Sequence, residues 1–330
     1  MDIVRKTGVP APPASTVPAA SAAIPTQIAG RGPEARETWL EFFAAQIRNP
    51  NTRAAYARAA YRLFDWLAEH GILDVREIRS VHIAAWLESR MREASRPTVK
   101  QELAAIRRLF DWLTVRQVVP ISPAAAVRGP KHSVRRGKTP VLSTAECRRF
   151  LRSIPTDTVG GLRDRALVAV MTYSFARVSA ALAMNVKDVF RMEDRLWLRL
   201  QEKGGKELEI PCHHNLEAYL SAYVAEAGIH GDREGPLFRS LDRDGSLSDR
   251  RFNRHSAWEM LARRARAAGI TTPVCNHSFR ATGITAYLEN PEARVEVAQY
   301  LAGHAKTETT KLYDRREERV SLDEIERIGI

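Results

Sequence analysis

The sequence predicts a mainly α protein in two folded parts: an all-helical N-terminal domain, then a mixed α+β domain with one small antiparallel sheet. Three observations predict it. Apolar residues between 34 and 119 recur at helical spacing, with no alternating stretch among them. Further on, Leu196-Trp197-Leu198-Arg199-Leu200 and Leu208-Glu209-Ile210 flank Lys203-Gly204-Gly205-Lys206, and a glycine pair between strand-like runs signals a hairpin. Between these regions Arg128, Lys131, Arg135, Arg136 and Lys138 occur without an acid or a helical period, which reads as a basic linker.

Residues 1–33 are rich in Ala, Pro and Ser and poor in large apolar side chains, so they are expected to be disordered. The helical domain then spans 34–122. Leu40, Phe43 and Ile47 mark its first helix, and Pro50-Asn51 separate it from the next. Tyr56, Ala60, Leu63, Phe64 and Leu67 trace one face of the second, which Gly71 ends. Ile83, Leu87 and Met91 mark a third. Val99, Leu103, Ile106, Phe110 and Leu113 mark a fourth, with Pro97 just inside its start, where proline is tolerated. The linker covers 123–142, and a second domain 143–319. That domain opens on a capping box, Ser143 with Glu146, ahead of a helix to about Ile154. A helix over Leu162–Phe175 carries the core residues Leu167, Val168, Val170 and Met171, and Arg177 follows in the next turn. After the hairpin come a helix through Leu216, Leu220 and Tyr223, a helix over 251–268 and a last helical region. In the tail, 320–330, Leu322, Ile325 and Ile328 share one face of a short amphipathic helix, which needs a partner surface to be stable.

The 330 residues carry a formal charge of +12, which suggests a polyanionic partner. No apolar run reaches about 18 residues, and no apolar core follows Arg5 and Lys6, so neither a membrane span nor a secretory signal is expected. Nucleic acid is therefore the preferred partner over a membrane. Cys147, Cys212 and Cys275 are widely spaced and odd in number, which fits a reducing cytoplasm better than a disulfide framework. Cys212-His213-His214 lacks the paired spacing of a zinc site, and no metal or cofactor is expected. Arg53, Arg58, Arg62, Arg107 and Arg108 make the helical domain's polar face basic; a solvated face is the bland account and phosphate contact the functional one.

The chemistry concentrates late in the chain. His277-Ser278-Phe279-Arg280, Ala302-Gly303-His304 and Thr309-Thr310-Lys311-Leu312-Tyr313 bring two histidines, an arginine and a tyrosine into a short span, with Arg177 and Lys203 upstream. Paired guanidinium groups match phosphate oxygens. Displacement at phosphorus further needs a nucleophile, a base for its proton and an acid for the leaving oxygen. His277 stands three residues before Arg280, one helical turn. Lys203 and Lys206 both flank the glycines of the hairpin tip and compete for the role of the acid.

This Arg…Lys…His-x-x-Arg…Gly-His…Tyr set resembles the tyrosine recombinases, the phage-integrase and Xer-like family, over residues 34 to about 320. The resemblance implies a helical core-binding (SAM-like) domain that clamps one side of a duplex, followed by a catalytic domain. It implies Tyr313 as nucleophile, Arg177 and Arg280 as the phosphate clamp, His277 as base or hydrogen-bond partner, His304 as a phosphate ligand and Lys203 as general acid. The implied reaction is site-specific recombination through a 3′-phosphotyrosine intermediate. Its substrate would be double-stranded DNA with inverted half-sites, held by a homo-tetramer or by a hetero-tetramer with a related recombinase. Accessory DNA-bending proteins are further candidate partners, and the expected location is the cytoplasm, at the nucleoid. Arg53, Arg58, Arg107, Arg128, Lys131, Arg135, Arg136 and Lys138 would contact the DNA. The rivals are a type IB topoisomerase and a recombinase-like DNA-binding protein with weakened catalysis. The second is suggested by Ala180, which stands where the family usually has an acid, three residues after the first arginine.

Overall fold

The computed structural model describes residues 23–131, 137–202, 205–314 and 327. The chain divides into two compact units between Ser133 and Val134.

The first unit is helical: α1 (Thr26–Ala29), α2 (Pro33–Glu41) continued by a π-helical turn over Phe42–Gln46, α3 (Pro50–Glu69), α4 (Ser80–Glu93) and α5 (Arg96–Val115). Asn49 caps α3, its side-chain oxygen accepting from the backbone of Asn51 and Thr52. Leu63, Phe64 and Leu67 of α3 and Leu103, Ile106 and Phe110 of α5 are buried in one core, as their spacing predicts. The first helix turns differently. Trp39, 1 % exposed, is the buried residue and Leu40 is 55 % exposed. The indole packs edge-on against Phe43, Tyr61 and Phe64, which removes more apolar surface from water than Leu40 could.

Folding also begins earlier than composition suggests. Within the stretch expected to be disordered, Ile28 is fully buried, and Gln27 Nε2 donates to the carbonyls of Phe64 (2.9 Å) and Ile72 (3.1 Å). Two well-placed side chains were hidden by averaging over 33 residues. The linker is likewise shorter than 123–142. Ala124 and Val127 belong to the first core and Leu142 to the second.

The second unit contains α6 (Thr144–Ser153), α7 (Val159–Tyr173), α8 (Val178–Ala183), β1 (Val189–Met192), β2 (Arg195–Glu202), β3 (Lys206–Pro211) and α9 (His214–Ala227). These are followed by β4 (Arg239–Leu241), β5 (Leu247–Arg251), α10 (Arg254–Ala267), α11 (Ser278–Leu288), α12 (Val295–Leu301) and α13 (Thr307–Lys311). β1, β2 and β3 form an antiparallel sheet in that order, and β4 pairs with β5 in a second one. The Ser143 capping box is present, with Ser143 Oγ accepting from Glu146 N and Glu146 Oε2 accepting from Ser143 N. α7 is buried nearly all round and forms the centre of the unit. α11 approaches it so closely that a Cβ on Gly283 would meet the Thr172 carbonyl at 1.9 Å, so only glycine fits there.

A buried ion cluster ties this unit together. Asp164 of α7 accepts from Arg163 (2.7 Å) and from Arg264 of α10 (2.8 Å), while Arg163 donates to the Arg239 carbonyl (2.9 Å). Asp164 is 1 % exposed and Arg163 3 %. Asp164→Ala strands a buried guanidinium and is expected to cost about 3–5 kcal/mol of unfolding free energy in urea denaturation. A loss below about 1 kcal/mol, the worth of a surface pair, would refute that account.

No helix among the described residues is long and apolar enough to cross a membrane. Nor do three or more His, Cys, Asp or Glu side chains among them cluster as metal ligands. Cys212 is buried, its thiol pushed up to about 12 by desolvation, and His213 stacks on Tyr173.

Candidate active site

Two helix ends build the site. α7 ends at Tyr173 with Ser174 as its C-cap, and Phe175 takes the left-handed conformation (φ +54°) without being a glycine, at a cost of roughly 1–2 kcal/mol. The turn swings Arg177 to the N-cap of α8 and exposes the Phe175 carbonyl to Arg280 Nη1. α12 ends in a Schellman turn: His304 N donates to Gln299 O (3.1 Å) and Gly303 N to Tyr300 O (3.0 Å). Gly303 supplies the left-handed residue this turn requires (φ +56°), which delivers His304 directly after the helix. The Ala-Gly-His motif is thus a helix stop that aims a histidine.

Arg280 stands in the first turn of α11 and is 3 % exposed. Its Nη2 donates to the Ala302 carbonyl at 2.5 Å and to His304 Nε2 at 2.9 Å. Because a guanidinium can only donate, Nε2 must accept. The neutral ring then carries its proton on Nδ1, which donates to Thr310 Oγ1 at 2.9 Å. Desolvation, with Arg280 and Arg177 adding repulsion, pushes His304 down to about 4, so it is neutral at pH 7. Burial, and then the Arg177 charge, also lowers Arg280, to about 10.

Arg177 is half-buried. Its Nη1 pairs with the carboxylate of Glu202, and its Nη2 lies 3.4 Å from the Gly303 carbonyl. Glu202 ends β2 on the inward side, in line with Leu196, Leu198 and Leu200, and its side chain is 1 % exposed. The Glu202 carboxylate thus pairs with Arg177 and offsets part of the repulsion between the Arg177 and Arg280 guanidinium groups.

Tyr313 follows α13. Its ring lies parallel to that of His304 (10°, centroids 5.9 Å apart), Tyr313 N donates to Thr310 O (2.9 Å), and the Tyr313 carbonyl accepts from Thr285 Oγ1 (3.3 Å). The charged residues after it suggest a ring free of the core, yet it packs on a small apolar cluster of Phe175, Ile284, Leu288, Ala298 and Ala302. His277 is the N-cap of α11, one turn from Arg280 as the spacing implies, but it reaches the surface. Partial desolvation, then the charges of Arg254, Arg280 and Arg177, hold it below the usual histidine range. A neutral imidazole can accept a proton.

Arg177, Arg280, His304 and Tyr313 therefore converge, and His277 lies within reach of the Arg280 and Arg177 charges. Lys203 lies outside the described residues, as do Arg135, Arg136 and all of the 320–330 tail except Arg327. Lys206 has its ammonium 5.1 Å from the centre of the Tyr300 ring. Among the expected DNA contacts, Arg58, Arg128, Lys131 and Lys138 are exposed. Arg53 and Arg107 instead spend their guanidinium groups on backbone carbonyls, of Ile47 and of Ala124 and Val127 respectively. Sequence reasoning missed Glu202, although an acid at the inward parity of an otherwise leucine-lined strand was a signal. It also missed Arg254, which opens α10 beside His277.

Comparison with known proteins shows the family and the fold. The sequence profile of the phage integrase family matches residues 140–319, and that of the phage integrase N-terminal SAM-like domain matches residues 37–117. Tyrosine recombinase XerD of Corynebacterium glutamicum is 29% identical over 289 residues, covering 84% of this chain and 91% of that protein. XerD of Mycobacterium tuberculosis is 30% identical over 279 residues, covering 80% and 86%. The fold is shared with XerH bound to palindromic difH (TM-score 0.68, 18% identity, 89% and 88% covered). It is shared also with a lambda integrase dimer bound to a COC' core site (TM-score 0.66, 19% identity, 88% and 78% covered). The chain belongs to the phage integrase family, the tyrosine recombinases, enzymes that cleave and rejoin DNA strands in site-specific recombination.

Proposed function

We propose that Tyr313 opens the DNA phosphodiester, with Arg177 and Arg280 as the clamp on its non-bridging oxygens, His277 as base and Lys203 as general acid. In this reading the phenol oxygen attacks phosphorus and its proton passes to His277 Nδ1 or Nε2. The bond from phosphorus to the 5′ oxygen breaks, Lys203 protonates that oxygen, and the 3′ phosphate remains on Tyr313. The covalent link retains the energy of the broken bond, so a 5′ hydroxyl from another strand can reverse the step without ATP. Positive side chains supply the charge stabilisation, so the reading requires no cofactor.

The observation that carries this is the convergence of two guanidinium groups and a histidine beside a tyrosine ring. His304 fits a supporting role. It orients Arg280 in the free site, and it can turn its Nε2 to a phosphate oxygen if the proton moves from Nδ1. Lys206, whose ammonium lies over the Tyr300 ring, is the competitor for the role of the acid. The substrate in this reading is duplex DNA with inverted half-sites, gathered by a homo-tetramer or by a hetero-tetramer with a related recombinase in the cytoplasm. Exposed Arg58, Arg128, Lys131 and Lys138 would contact its backbone.

Lys203→Ala is expected to slow cleavage about 10²–10⁴-fold, the worth of general acid catalysis. Replacing the 5′ leaving oxygen by sulfur removes the need for that proton and should restore most of the rate. If Lys206→Ala shows the rescue and Lys203→Ala does not, the acid is Lys206.

A further inference from the structure

The first arginine of the site lacks the acid that the family usually carries three residues later; that position is Ala180, buried at 5 % exposure. The arginine nevertheless has a carboxylate. Glu202 reaches Arg177 Nη1 from the end of β2, 25 residues away in the chain. Its other oxygen, Oε1, is buried and has no hydrogen-bond partner among the described residues. A carboxylate this deeply buried costs several kcal/mol in lost hydration unless a cation compensates it, so local packing gives no reason to keep one there. Leucine would continue the inward pattern of Leu196, Leu198 and Leu200.

We propose that Glu202 is a positioning residue for strand cleavage, holding Arg177 in place of the acid missing at Ala180. The inference rests on the assignment of Arg177 to the phosphate clamp. Arg177 and Arg280 repel each other, and Arg177 retains 26 % side-chain exposure, enough for an untethered guanidinium to swing into solvent. Glu202 offsets that repulsion and fixes one nitrogen of the fork, while the Gly303 carbonyl lies on the other. The planar group is then held with a defined orientation toward an incoming phosphate. Glu202 also immediately precedes Lys203 in the sequence, so the same side chain anchors the strand end next to the proposed acid. In this reading the carboxylate that holds Arg177 comes from the end of β2 instead of from α8.

The test is single-turnover covalent trapping on a nicked suicide duplex, with affinity for the same duplex and the melting temperature measured in parallel. Glu202→Gln keeps the shape and removes the charge. It is expected to slow trapping by about 10²-fold, the usual effect of a misplaced catalytic group, while DNA affinity stays within about threefold. Glu202→Asp, which restores the charge on a shorter arm, should recover at least part of the rate. In an Arg177→Ala background, Glu202→Gln should add little further loss, because the residue acts through the arginine. If Arg177→Ala abolishes trapping but Glu202→Gln traps at the wild-type rate, the positioning role is overturned and the clamp survives. The role is equally overturned if the two substitutions multiply, or if the loss in Glu202→Gln follows a fall in melting temperature and Asp restores nothing. If Arg177→Ala itself traps normally, the clamp assignment fails, and this inference with it.

Discussion

The Tyr313→Phe protein is expected to bind a nicked suicide duplex as wild type does and to trap none of it. The substitution removes one oxygen and leaves the rest of the ring's surroundings intact. The phenyl ring still packs on Phe175, Ile284 and Leu288 and still lies parallel to His304. The backbone bonds through Thr310 and Thr285 do not involve the side chain. Stability should therefore change little, and any loss belongs to the chemistry. Removal of a nucleophile from groups that act as a unit costs about 10⁴–10⁶-fold, beyond the range of a trapping gel. A covalent 3′-phosphate complex that persists in this protein would transfer the role to another residue.

Arg280→Lys is expected to cut cleavage by at least about 10³-fold, in the range seen when a charged transition-state donor is removed. Arg280 serves three acceptors at once: the Phe175 and Ala302 carbonyls and His304 Nε2. An ammonium on a flexible stem cannot reproduce that planar fork, and a lysine buried this deeply loses its proton readily. His304 then loses the donor that fixes its tautomer, so the proton on Nδ1 and the bond to Thr310 are no longer specified. Measuring cleavage beside half-site affinity separates the effects. Affinity should fall far less than the rate, since a single phosphate contact is a small share of DNA binding. A rate within tenfold of wild type would show that the buried guanidinium serves the fold and not the phosphate.

How much of this was readable from the chain depends on whether the determining interaction is local. α3 and α5 were legible because long amphipathic faces repeat many times, and α6 because Ser143 and Glu146 satisfy each other within one turn. The β2–β3 hairpin was legible from its glycines; its register brings Glu202 opposite Lys206. β1, β4 and β5 were not. They are four, three and five residues long, and Leu247–Arg251 is mostly polar, so no alternation marks it. Within the candidate site, Arg177, Arg280, His304 and Tyr313 were singled out by residue type, spacing and the family resemblance, and they lie together. The role of Gly303 followed only from the turn that ends α12, and the Arg177–Glu202 pair only from packing of β2 beside α8. Arg107 shows the converse: an apparently available cation that tertiary structure has already occupied.

The end of α12 has one more consequence. Ala302 O holds Arg280, Gly303 O lies against Arg177, and His304 meets Arg280 from the next position. These three consecutive residues close a helix only seven residues long. The two arginines come from α11 and from the start of α8, 103 positions apart, yet each sets one guanidinium nitrogen against this single turn. A rigid displacement of α12 disturbs both guanidinium groups and the imidazole together, so three separate sequence motifs share one mechanical coordinate, while the Phe175 carbonyl and Glu202 hold the other guanidinium nitrogens. Two of the three restraints on that coordinate are main-chain carbonyls, which no side-chain substitution deletes.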